Sequence, residues 1–127
     1  MIENKISVII DKTIYEVFEF STNPHNTLLW VSSISEEVAD EYPPKIDTKY
    51  RNRGGNDNWN EYKVVDFQKD KVFILSDLEE NYFVKYTYSK LNNYKTEMEY
   101  FEWMTDGELS NPFTKDVLKN LKKVMEG

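Results

Sequence analysis

Residues 82–104 read YFVKYTYSKLNNYKTEMEYFEWM, two extended runs separated by a polar dipeptide. Side chains alternate faces along a strand, so the first run divides into Tyr82, Val84, Tyr86 and Tyr88 against Phe83, Lys85, Thr87 and Ser89. The first set is the more apolar and the second carries the lysine, which places the first set inward. The returning run, 94–104, divides into Thr96, Met98, Tyr100 and Glu102 against Glu97, Glu99, Phe101 and Trp103. Two glutamates turn the latter set outward, leaving Met98, Tyr100 and Glu102 inside. Asn92-Asn93 suits a two-residue hairpin loop because asparagine tolerates positive φ.

On either side of this hairpin the sequence punctuates itself. Residues 2–10 alternate and end in Ser7-Val8-Ile9-Ile10, the pattern of a strand. Thr13 and Glu16 have capping-box spacing, and Ile14, Val17 and Phe18 follow at helical spacing to about Ser21. Asn23-Pro24 starts a second short helix that ends near Trp30. A strand is expected over 31–38, broken by Tyr42-Pro43-Pro44, and another over 48–53, closed by Gly54-Gly55-Asn56-Asp57. Strands over 59–67 and 72–77 flank a tight turn at Lys69-Asp70, and Glu79-Glu80-Asn81 turns the chain into the quoted hairpin. After a loop at 105–110, Asn111-Pro112 signals a last helix running to Glu126, with Val117, Leu118, Leu121, Val124 and Met125 as its apolar stripe. The order is strand, two short helices, six strands, long helix. The fold class is therefore α+β: a curved antiparallel sheet of about seven strands wrapped around the C-terminal helix, the helix-grip arrangement, in one domain over 1–127.

That order, with the residues that mark it, resembles the SRPBCC or START-like superfamily, and within it the polyketide cyclase/dehydrase-like branch. The resemblance is carried by Ile6-Ser7-Val8-Ile9-Ile10, Val17-Phe18, Asn23-Pro24 and Trp30, then Thr48-Lys49-Tyr50-Arg51, Lys95-Thr96-Glu97-Met98-Glu99-Tyr100 and the helix 118–126. It spans nearly the whole chain and rests on the order of the motifs, each loose by itself. Asp47 departs from it, standing where the family often has glycine, and the segment before the last helix is short. The resemblance implies a hollow between sheet and C-terminal helix that takes a lipid, polyketide or similar apolar molecule; a minority of relatives use it for cyclisation or dehydration.

Composition bounds the function. The 127 residues carry 15% aromatics, no cysteine and a formal charge of -7. Absence of cysteine excludes disulfides, thiolate metal sites and cysteine nucleophiles. Lys115, Lys119, Lys122 and Lys123 are spaced along one helix as a solvated face, so nothing resembles a phosphate-binding surface and no nucleic acid is expected. The opening lacks the order of a signal peptide and no stretch is apolar enough to span a bilayer, so the expectation is a cytoplasmic protein without membrane insertion.

The expected ligand cavity takes Trp30, Tyr50, Tyr82, Tyr86, Tyr88, Met98, Tyr100, Glu102, Leu118 and Leu121 as its wall. The rings either line a pocket or simply fill a core. Trp30 either caps the cavity or staples its helix to the sheet. Glu102 is the one candidate for chemistry, since an inward carboxylate in an apolar hollow can act as general acid or base; the alternative is a solvated rim residue. Asp77, Arg51 and Arg53 are strand-end charges that either anchor a polar group or are solvated. His25 beside Pro24 has neither a second histidine nor a Gly-x-Ser-x-Gly turn to work with. Gly54-Gly55 is a turn, not a phosphate loop. No cofactor or metal is implied and no motif commits the chain to a reaction. The leading expectation is a binding protein for a small hydrophobic molecule, monomeric or homodimeric. Its rivals are a cyclase/dehydratase using Glu102 or a cavity tyrosine, and an interaction module like the activators of heat-shock chaperones. Outward Phe101 and Trp103 would give such a module, or a dimer, an apolar contact.

Overall fold

The computed structural model describes residues 2–55 and 58–127. Strand β1 (Glu3–Ile10) leads into helix α1 (Ile14–Thr22), a 3-10 turn (Pro24–Asn26) and the single turn α2 (Thr27–Trp30). Six strands follow: β2 (Glu36–Ala39), β3 (Lys49–Arg53), β4 (Asn60–Gln68), β5 (Val72–Asp77), β6 (Tyr82–Asn92) and β7 (Lys95–Met104), before helix α3 (Lys115–Glu126). All pair antiparallel in one curved sheet of order β1-β7-β6-β5-β4-β3-β2, so β1 and β2 form its two edges. A bulge between Val64 and Asp66 lets β4 bend, as an unpaired residue increases local twist.

Local chemistry explains the elements. The Thr13 hydroxyl accepts from the Glu16 amide and the Glu16 carboxylate accepts from the Thr13 amide, so α1 starts on a complete capping box. Asp47 has φ 71° just before β3, so aspartate occupies the left-handed position where the resemblance has glycine, a conformation its short polar side chain tolerates. Asp70 and Glu80 take the same region in the turns before β5 and β6. The core joins Ile10, Val17, Phe18, Trp30, Tyr50, Val64, Phe73, Met98, Leu118 and Leu121.

Four sequence expectations are corrected. The strand expected over 31–38 shrinks to Glu36–Ala39, because the amides of Val31 and Ile34 continue the turn of α2, bonding to Thr27 and Val31 carbonyls. The β6–β7 loop is Asn93-Tyr94, with Asn92 paired to Lys95; the Asn92 side chain accepts from the Tyr94 amide, an Asx turn that needs no positive φ. Helix α3 begins at Lys115 rather than at Pro112, because the backbone of Phe113 is held elsewhere, as described below. Val124, expected in the buried stripe, is 39% exposed. The turn expected at Gly54-Gly55-Asn56-Asp57 lies partly outside the described residues; within them Gly55 has φ 56°.

Candidate functional site

The concave face of the sheet leaves a cavity of about 650 Å³. At about 30 Å³ per water this is room for roughly twenty water-sized atoms, enough for a ligand of ten or more heavy atoms. Its apolar and aromatic wall comes from Leu75, Tyr62, Tyr82, Val84, Tyr86 and Tyr100 of the sheet, and its far side from 108–113, a strap running from β7 towards α3.

Helix α3 contributes nothing to this lining; it packs on β1 and α2, and its Leu118 and Leu121 are fully buried in the core. The cavity therefore lies between sheet and strap, where the sequence placed it between sheet and helix. The strap takes the helix's place because its backbone is tied to the sheet. Phe113 N–H donates to Glu102 Oε2 at 2.8 Å and its carbonyl accepts from Asn4 Nδ2 at 2.8 Å. The Phe113 ring stacks on Tyr100 with centroids 4.6 Å apart and planes 7° apart.

Of the residues named from sequence, Tyr82, Tyr86, Tyr100 and Glu102 border the cavity. Trp30, Tyr50, Tyr88 and Met98 are buried behind it. Trp30 packs edge-on to Tyr86 and its indole N–H meets no acceptor among the described residues. The Tyr50 hydroxyl donates to the Thr22 carbonyl, and the Tyr88 hydroxyl bonds Ser21 Oγ at 2.6 Å. These rings are anchored to α1, which holds the helix against the sheet.

Glu102 is 1% exposed, and so is not a rim residue. Asn4 Nδ2 and Phe113 N–H donate to one of its oxygens and the Tyr82 hydroxyl to the other at 2.7 Å. Burial raises Tyr82 and Tyr100 well above the ordinary phenol range, and the neighbouring Glu102 carboxylate adds to it, so the cavity wall presents neutral hydroxyls.

A second carboxylate went unrecognised in the sequence. Glu37 lines the cavity from β2, accepting from Thr27 Oγ1 at 2.5 Å and from Asn52 Nδ2 at 3.0 Å. Its pKa is raised, mainly by burial, against the lowering effect of these two bonds. Its neighbour Val38 points to solvent, 47% exposed. The hydropathy of β2 is thus inverted, carboxylate in and valine out, and no alternation rule would have found it. The nearest sequence signal is the unremarkable pair Glu36-Glu37, of which the first is exposed and bonds Arg53.

The other sequence candidates are occupied on the surface. Arg51 lies between Asp40 and Glu61; Arg53 pairs with Glu36 and covers the Trp59 ring. Asp77 caps its turn, accepting from the amides of Asn81 and Tyr82. His25 is exposed. Among the described residues no group of three or more His, Asp or Glu could hold a metal ion, and no helix is long and apolar enough to cross a membrane. On the outer face Trp103 stacks between Phe83 and Phe101, both centroids 4.9 Å away, with Lys5 Nζ over the Phe101 ring.

No family model and no characterised protein matches the sequence. Solved structures match the fold. A START superfamily protein from Mycobacterium smegmatis superposes with TM-score 0.77 at 10% identity, over 99% of this chain and 98% of that one. XoxI from Bacillus cereus gives 0.75 at 13% identity, over 98% and 95%. The Aha1 dimer from Colwellia psychrerythraea gives 0.63 at 11%, over 98% and 90%. At such identities the likeness establishes a START-like, helix-grip fold and nothing finer.

Proposed function

We propose that this chain binds a small, largely apolar molecule in the cavity between its sheet and the 108–113 strap. One observation carries the reading: about 650 Å³ of space walled by Tyr62, Tyr82, Tyr86, Tyr100, Val84 and Leu75. That volume falls within the roughly 300–1,000 Å³ of small-molecule sites, which combine apolar walls with a few placed polar groups. A START-like fold supports the same reading, since the family resemblance implies an apolar ligand in the hollow of the sheet.

On this reading the protein is a carrier or sensor, in preference to an enzyme of the polyketide cyclase/dehydratase kind. Glu102 is engaged by three donors that tie β1, β6 and the strap together, which suits an anchor better than a proton shuttle. The test is native mass spectrometry of gently purified protein, paired with a variant that fills the cavity, Val84→Trp. A bound mass present in the wild type and absent from a folded Val84→Trp supports the proposal; the same mass retained in the variant refutes it.

A second reading has its own observation. The Phe83–Trp103–Phe101 stack gives the outer sheet face an aromatic patch, as a protein-interaction module of the chaperone-activator kind, or a homodimer, would need. Sedimentation velocity of wild type against Trp103→Ser separates a dimer on this face from a monomer.

A further inference from the structure

We infer that the ligand of this cavity is a cation, an organic amine or quaternary ammonium carried on an apolar body, with Glu37 as its counter-charge. The inference rests on the binding role proposed above and names the class of molecule. Among the described residues the cavity wall holds Glu37, Glu102 and Glu108 but no lysine, arginine or histidine. Fatty acids and other carboxylates would meet like charge at Glu37 and Glu102, with no lysine, arginine or histidine among the described lining residues to receive them.

The two inner carboxylates are not equivalent. Glu102 is bonded on both oxygens by three donors from three separate segments. Glu37 has one hydroxyl and one amide donor and no ion pair among the described residues. Glu37 is half-buried, and a carboxylate drawn partly out of water without a cation carries a desolvation cost that is relieved when a cation arrives. The inverted β2, with Val38 in water and Glu37 inside, has no packing rationale; a counter-charge supplies one.

The aromatic wall fits the same class. Tyr62, Tyr82, Tyr86 and Tyr100 border the cavity together, with Tyr62 and Tyr82 centroids 6.4 Å apart and Tyr86 and Tyr100 5.7 Å apart. Neutral tyrosine rings attract an ammonium group through their faces, and water exclusion strengthens that attraction. Burial raises Tyr62 and Tyr86 above the ordinary phenol range, with the charge of Glu37 acting in the same direction on both, so carboxylate and rings share one region of the wall.

The experiment compares three probes with one skeleton: 4-phenylbutylamine, 4-phenylbutan-1-ol and 4-phenylbutyrate, titrated into ¹⁵N-labelled protein at constant pH and salt. Chemical-shift changes at Val84, Tyr86 and Tyr100 report cavity occupancy. The amine is expected to bind about tenfold tighter than the alcohol, the scale of one desolvated charge contact, with the carboxylate weakest. Glu37→Gln, checked for folding by its spectrum, is expected to erase the amine's advantage while leaving the alcohol unchanged. Alcohol and carboxylate binding as tightly as the amine overturns the charge assignment and leaves the cavity reading standing. If none of the three shifts these residues, the cavity reading itself falls. Should Glu37→Gln fail to fold, the ranking of the three probes on wild type decides alone.

Discussion

Replacing Glu102 by alanine tests whether the strap is held by that carboxylate. The side chain is 1% exposed and accepts from Asn4 Nδ2, Phe113 N–H and the Tyr82 hydroxyl. Each buried donor stranded by a deletion costs about 1–3 kcal/mol. The three donors do not suffer equally. Asn4 keeps its bond to the Phe113 carbonyl, and the Tyr82 hydroxyl can turn to water in the cavity. Among the described residues Phe113 N–H has no other acceptor. Adding a full cost for Phe113 to partial costs for the others gives a loss of about 3 kcal/mol, a large share of the roughly 5–15 kcal/mol that holds a domain folded. In urea, with a slope of about 1–3 kcal/mol per molar, the midpoint should fall by about 1.5 M. Hydrogen exchange locates the effect: the Phe113 amide should lose protection far beyond the global change, since its acceptor is gone. Glu102→Gln, which keeps the shape but offers one acceptor oxygen, should fall between wild type and alanine. A midpoint within about 0.3 M of wild type, with Phe113 still protected, would refute the anchoring role.

Three further outcomes are expected. Tyr88→Phe removes the 2.6 Å bond to Ser21 and should cost about 1 kcal/mol, read as a Tm lower by about 4 °C. Met98→Ala, at a site with no exposure, should cost about 2–5 kcal/mol in urea unfolding; a loss under about 1 kcal/mol would mean the core there collapses freely. Glu37→Gln should stabilise the unliganded protein at neutral pH. Burial raises the Glu37 pKa, so the folded state keeps its proton to higher pH than the unfolded chain. Wild-type stability therefore falls as pH rises from the ordinary carboxylate pKa through the raised one, and the variant escapes that fall. The gain over wild type should vanish in acid and grow to a plateau as pH rises; a gain independent of pH contradicts the assignment.

The hairpin 82–104 was legible because Glu97, Glu99 and Lys85 mark the wet face of a period-two pattern, and short range decides such a pattern. Met98, Tyr100 and Glu102 are accordingly buried. The capping box at Thr13 and Glu16 was legible for the same reason. What escaped depends on partners distant in sequence. Asn111-Pro112 has the form of a helix start, yet the helix waits until Lys115, because Glu102 and Asn4 claim the backbone of Phe113. The stripe of α3 gave the helix a buried face, but not which one of several apolar surfaces would receive it, and β1 with α2 did. Trp30, Tyr50 and Tyr88 show how tyrosine and tryptophan content alone cannot separate a pocket wall from the core layer behind it.

Glu37 is the instructive failure. Strand reading assumes that burial follows hydropathy, and at β2 it does not: the valine is wet while the half-buried carboxylate faces the cavity. Sequences specify folds when local pattern and tertiary placement agree, and the exceptions gather where function overrides stability. Glu102 shows how a buried carboxylate looks when the fold itself needs it, with every oxygen engaged and separate segments tied by it. Glu37 is held by two neutral donors, faces the same cavity and retains a pKa raised by burial. Stability alone would favour glutamine at that position. On the proposed binding role, a carboxylate kept there at a cost to the empty protein serves the state in which the cavity is filled.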